Sequence, residues 1–136
     1  MKIFSSIKTI LFSSVFGFSA LPTHAAIVDF DTYFNDSNNN SLVFKLIYND
    51  FSMLFPGDIL KQREKRLTEN QTIDLHSDVL LSPHHGSATS SGKLLLDKID
   101  PKSVIISCGW HNRYGFPHYK VLQRYKKTGP LMGRFF

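Results

Sequence analysis

Residues 41–55 commit the chain to a sheet. Ser41-Leu-Val-Phe-Lys-Leu-Ile-Tyr48 alternates, with Leu42, Phe44, Leu46 and Tyr48 on one side and Val43, Lys45 and Ile47 on the other. A period of two is what an extended strand displays. Asn49-Asp50 tolerates the positive φ of a tight turn, and Phe51 to Phe55 reads as the returning strand, ended by Pro56-Gly57. The pattern then switches. Ile59 to Thr68 predicts a short helix, with Ile59, Leu60 and Leu67 inward and Lys61, Arg63, Lys65 and Arg66 outward. Asp78 to Ser82 predicts a buried strand. Ser90 or Ser91 is suited to cap a helix carrying Leu94, Leu95, Leu96 and Ile99. Ser103 to Ser107 predicts another strand. Pro117 suits the first turn of a helix reaching about Lys127, with Val121, Leu122 and Tyr125 inward and Gly129 at its end. Leu131 to Phe136 predicts a last strand. A hairpin followed by alternating helices and strands implies an α/β layered sheet.

Size and composition agree with one domain. The chain has 136 residues, 42% hydrophobic and 20% charged, which is a globular profile. A single cysteine, Cys108, excludes an internal disulfide and a cysteine-based zinc knuckle. A complete barrel of eight β/α units does not fit in this length. Residues 1–25 pattern as a secretory leader: Lys2 and Lys8, a mostly apolar run from Ile10 to Leu21, then Pro-Thr-His-Ala-Ala with cleavage expected after Ala25. The expectation is a secreted or periplasmic protein whose domain is residues 26–136. An uncleaved membrane anchor is the alternative.

Charge is unevenly placed. From Ala26 to Asp58 there are five aspartates and only Lys45, whereas Pro101 to Phe136 holds seven lysines and arginines and no acid. Such a segment attracts phosphate or an anionic surface. Lys102, Arg113, Lys120, Arg124, Lys126 and Lys127 are the candidate phosphate contacts. A solvated basic helix face is the plainer reading.

Three segments that follow predicted strands carry polar residues that a core does not ask for: Phe55-Pro-Gly-Asp58, Pro83-His-His-Gly-Ser87 and His111-Asn-Arg-Tyr-Gly-Phe-Pro-His118. Loops at the carboxyl ends of strands are where α/β sheets build sites. Asp58 is also placed to be a helix N-cap, and each histidine taken singly reads as surface. Together, a carboxylate and two or three histidines suit zinc, and manganese to a lesser degree.

The ordered set from Asn38-Asn-Asn-Ser-Leu-Val-Phe-Lys-Leu46, through Phe55-Pro-Gly-Asp-Ile59 and Asp78-Val-Leu-Leu-Ser-Pro-His-His-Gly-Ser-Ala-Thr-Ser-Ser91, to Asn112-Arg-Tyr-Gly-Phe-Pro-His118 resembles a known family. It is similar to the C-terminal part of the metallo-β-lactamase-fold domain in DNA-internalisation competence proteins of the ComEC type. The resemblance implies the second half of a four-layer αββα sandwich, a mixed sheet flanked by helices. It implies a metal-dependent hydrolase acting on DNA with two zinc or manganese ions. By motif position, Asp58 and His84 are the catalytic candidates. Asp58, His84 and, as the competing choice, His85 are the metal ligands. Ser87, Asn112, Arg113 and His118 are expected near the site.

The family's His-x-His-x-Asp-His motif is not in this sequence; before Asp58 the only histidine is His24. The expected domain is therefore incomplete. It would need a second chain to supply ligands, and its uncovered apolar sheet face, with Phe44, Leu46 and Phe51 as candidates, would invite a partner or a second copy. The competing reading is a non-catalytic secreted or membrane-anchored remnant that binds nucleic acid or anionic surfaces through its basic C-terminal segment.

Overall fold

A computed structural model describes the backbone of residues 9–11, 23–29 and 34–135, and side chains from 34 to 133. The strands are β1 (Thr9–Leu11), β2 (Thr23–Asp29), β3 (Val43–Tyr48), β4 (Phe51–Phe55), β5 (Val79–Leu81), β6 (Ser103–Ser107) and β7 (Leu131–Phe135). The helices are α1 (Lys61–Glu69), α2 (Lys93–Ile99) and α3 (Tyr119–Thr128). All described strands join one sheet in chain order. The pairs from β1 to β4 are antiparallel and those from β4 to β7 parallel. The chain is thus α/β with a mixed sheet, as the alternation predicts.

Most of the expected leader lies outside the described residues. Its described pieces are β1 and the start of β2, which pairs with β3 through Ala25 and Ala26. No helix among the described residues is long and apolar enough to cross a membrane.

The hairpin forms as its alternation requires. Tyr48 pairs with Phe51 across Asn49, whose φ is 51°. The parallel strands then follow one another sideways, each reached through a helix. Crossovers of one hand that advance in one direction leave every helix on the same side of the sheet. A single core results: Val43, Leu54, Leu80, Val104 and Ile106 from the sheet pack against Ile59, Leu67, Leu95, Leu96, Ile99, Val121 and Tyr125. Lys45 lies on this buried face too, and its Nζ reaches Asp74 at 2.9 Å.

The other face carries Phe44, Leu46 and Tyr48 of β3 and Phe51, Met53 and Phe55 of β4, alternating with the core residues. Phe44 and Phe55 stack at 4.6 Å. Among the described residues the helices lie on the opposite, core side, giving the mixed sheet with flanking helices that the sequence reading expects. The architecture is compatible with part of an α/β sandwich.

Two helical details differ from the sequence reading. Arg63 is buried, not outward: its Nη1 donates to the Asn39 carbonyl and its guanidinium sits 5.6 Å from the Phe34 ring centre. Nor do Ser90 and Ser91 cap α2. Its N-cap is Gly92, and the Glu64 carboxylate of α1 accepts from the backbone N–H groups of Ser91 and Gly92. Apolar periodicity cannot reveal either contact, because both depend on a neighbouring element.

Candidate functional site

The three polar segments converge at the carboxyl ends of β4, β5 and β6. Backbone hydrogen bonds stitch them together: His84 N–H donates to the Gly57 carbonyl at 3.0 Å, and His118 N–H donates to the Gly86 carbonyl at 2.9 Å. Gly57 and Gly86 have φ of +63° and +82°, and a Cβ would meet Ser41 Cβ at 2.6 Å or Pro117 Cβ at 2.7 Å. Both positions therefore require glycine, for conformation and for space.

Asp58 is not a helix cap. The N-cap of α1 is Leu60, which makes no side-chain capping bond. The Asp58 backbone N–H donates to Ser41 Oγ, and the carboxylate is left half-exposed beside His85, with Oδ1 3.5 Å from Nε2. His85 Nδ1 lies 2.8 Å from the Ser107 carbonyl oxygen. A carbonyl only accepts, so Nδ1 carries the hydrogen. In the neutral ring Nε2 then presents a lone pair toward the carboxylate. Metal-binding histidines are held by this kind of carbonyl contact.

His84 and His85 both hold left-handed backbone, with φ of 48° and 54°. Such residues persist only where their surroundings over-determine them. Here the surroundings are a buried polar network. Ser82 N–H donates to the Ile105 carbonyl at 2.7 Å, and the Ser90 hydroxyl donates to the Pro83 carbonyl at 2.8 Å. Tyr125 Oη of α3 sits 2.7 Å from both Ser82 Oγ and Ser91 Oγ. Burial raises the Tyr125 phenol above its ordinary range, and burial likewise raises the Glu64 carboxyl, against the opposing pull of its two backbone donors.

A cavity of about 560 Å³ opens here, lined by Asp58, His84, His85, Ser107, Cys108 and Gly109, and by Asn112, Tyr114 and Phe116 of the next loop. The structure brings Asp58, His84, His85 and Asn112 together. It pairs Asp58 with His85, while the His84 ring stands edge-on to Phe116 at 5.7 Å, its Nδ1 buried without a hydrogen-bond partner among the described residues. Asn112 staples its loop, donating to the Gly109 and Phe116 carbonyls and accepting from Phe116 N–H.

Ser87 and His118 do not line the cavity. Ser87 is buried against Thr89, and His118 is the N-cap of α3, its Nδ1 accepting from Lys120 N–H. The sequence reading missed Cys108, Tyr114 and Phe116. The strand-end position of their loop marked the segment, but which side chains turn inward depends on its closure by Asn112.

The basic residues do not share one end of the sheet. Arg113 and Lys120 lie at the cavity end. Lys102 precedes β6, and Lys126 and Lys127 close α3, all at the opposite end. Lys102 is engaged by Asp78 at 2.7 Å, and Arg124 donates to the Ala88 carbonyl.

As a donor set for a metal, Asp58 and His85 offer one carboxylate and one imidazole, with the orphaned His84 Nδ1 nearby. Among the described residues, no group of three or more His, Cys, Asp or Glu side chains is placed to hold an ion. Catalytic zinc takes three protein ligands and an open position. These residues therefore do not make a complete metal centre by themselves.

Fold and site define an α/β protein with a carboxylate–imidazole cluster at the carboxyl ends of parallel strands. No protein-family model matches the chain. It is 41% identical over 86 residues to ComE operon protein 3 of Bacillus subtilis, a match covering 63% of the chain and 11% of that protein. It is 32% identical over 94 residues to competence protein ComA of Neisseria gonorrhoeae, covering 69% and 14% respectively. Recombination protein 2 of Haemophilus influenzae is 37% identical over 87 residues, covering 64% and 11%. The chain is a homologue of competence proteins of the ComEC family. It spans 11–14% of the length of these curated relatives.

Proposed function

We propose that this chain is a DNA-handling component of a ComEC-type competence function. It carries part of a metal-dependent phosphodiester-hydrolysing centre whose remaining ligands come from outside this sequence. The observation behind the reading is the Asp58–His85 pair, with His85 oriented by the Ser107 carbonyl at the mouth of a cavity. Two oxygen- and nitrogen-donor side chains held this way suit zinc or manganese. The competence names of the homologues support DNA as the substrate.

A second chain that supplied the other ligands would have a place to sit. The apolar face of Phe44, Leu46 and Phe51 is open among the described residues, and a second copy of this chain is the other candidate to cover it. The lysine-headed apolar leader at residues 1–25 supports export as the route to the substrate, which mass spectrometry of the exported protein's N-terminus tests.

Metal analysis of the purified chain, dialysed against zinc or manganese, tests the site. The expected result is weak retention that is lost in Asp58→Asn and His85→Ala, with cleavage of a DNA oligonucleotide by the chain alone weak at most and dependent on the same residues. Retention and cleavage indifferent to both substitutions would refute the assignment.

A further inference from the structure

The loop between β6 and α3 displays aromatic rings where a stable domain gains nothing by showing them. Trp110 is 67% exposed, Tyr114 61% and Tyr119 60%, within ten residues of one another. Tyr114 lines the cavity, and exposed aromatic rings gathered in one loop offer an interaction surface. Their arrangement is ordered. Phe116 stands edge-on to His84, Tyr114 stacks on Phe116 at 5.5 Å with planes 21° apart, and the Arg113 guanidinium lies 4.8 Å from the Tyr114 ring centre. This ladder runs from the Asp58–His85 neighbourhood out to solvent. It lies within a segment, Pro101 to Phe136, that contains no Asp or Glu, and Lys120 follows it at the start of α3.

We propose that residues 110–119 form a stacking platform for the unpaired bases of single-stranded nucleic acid, with the Arg113 guanidinium as the ladder's outer plane and Lys120 meeting the phosphates. Flat rings and a guanidinium plane offer stacking partners to any base, and a base has a free face only when it is out of a duplex. The positive segment draws in the backbone, and the ladder directs the strand toward the cavity. This deepens the reading of DNA as the substrate by naming the strand form the site accepts. It does not depend on a metal.

Trp110 is the chain's single tryptophan, so its fluorescence reports on this loop alone. The full chain, in EDTA to prevent cleavage, is titrated with a twelve-residue oligothymidylate, an abasic oligonucleotide of equal length and charge, and a duplex. The expected result is quenching of Trp110 by oligothymidylate. Affinity should be at least about five-fold tighter than for the abasic strand and tighter than for the duplex, a size typical of stacked bases. Tyr114→Ala should remove most of that preference and Tyr114→Phe restore it, with unchanged circular dichroism. Equal affinity for the abasic strand without quenching, or a preference for duplex, would overturn the stacking platform and leave DNA binding intact. Absence of binding to all three would overturn the DNA reading as well.

Discussion

His85 gives its Nδ1 hydrogen to the Ser107 carbonyl at 2.8 Å and turns Nε2 toward Asp58 Oδ1, 3.5 Å away. The main chain of β6 thus decides which ring nitrogen faces the carboxylate. With the ring neutral, two acceptors face each other, and a cation between them stabilises the arrangement. Zinc affinity, measured by competition with a chromogenic chelator, is therefore expected to fall at least about ten-fold in His85→Ala and in Asp58→Asn, because losing even an outer-shell partner typically costs about that much. His84→Ala is expected to change it less, because the His84 ring is turned to Phe116. A larger loss in His84→Ala would exchange the roles of the two histidines.

Tyr125 ties the histidine turn to α3. Its hydroxyl is 2.7 Å from Ser82 Oγ, at the end of β5, and from Ser91 Oγ, ahead of α2. All three residues are buried. Tyr125→Phe keeps the ring and strands two serine hydroxyls, of which Ser91 retains only the longer contact to Ser90 at 3.5 Å. Leaving a buried polar group unsatisfied costs about 1–3 kcal/mol. Urea denaturation should show a loss in that range, and a change within error would mean that water replaces the phenol.

The hairpin, the three helices and the later strands were legible because their apolar residues repeat at periods of two and 3.6. The three segments of the site were legible because polar residues crowd at strand ends. Contacts made across elements were not. Arg63 reads as outward on its own helix, yet Asn39 and Phe34 draw it inward. Asp58 reads equally well as a cap, and only the turn after Ser82 shows that its partner is His85. The family resemblance favours His84 over His85; ring orientation depends on left-handed backbone at both positions, which sequence does not announce.

Asp78 joins β4 to the start of β6. It accepts from Ser52 N–H at 2.8 Å, Ser52 Oγ at 3.0 Å and Lys102 Nζ at 2.7 Å. The Lys102 bond, helped by those from Ser52, holds its carboxyl down at about 2. A depressed acid stabilises the fold fully above its unfolded value, about 3.9, and loses that contribution as pH falls through the folded one. Asp78→Asn is therefore expected to lower the urea midpoint at neutral pH, and the difference from the parent should close between about pH 4 and pH 2. A constant gap across that window would show that the charge contributes nothing.

The sheet face left open among the described residues makes the last prediction. Tyr48, Phe51 and Leu131 project from it with large exposure, and the half-buried Phe44 and Phe55 stack on each other. Apolar area left in water is recovered at about 25 cal/mol per Å² when another surface covers it. The purified chain is thus expected to sediment above its monomer mass at high concentration and to bind a hydrophobic dye. Phe51→Thr combined with Leu131→Lys removes two protruding side chains while leaving the core residues Leu54, Leu80 and Val104 untouched, and threonine suits a strand. The double variant should sediment as a monomer with reduced dye binding and an unchanged circular dichroism spectrum. A parent that is already monomeric and dye-silent would mean that residues outside the described ones cover this face.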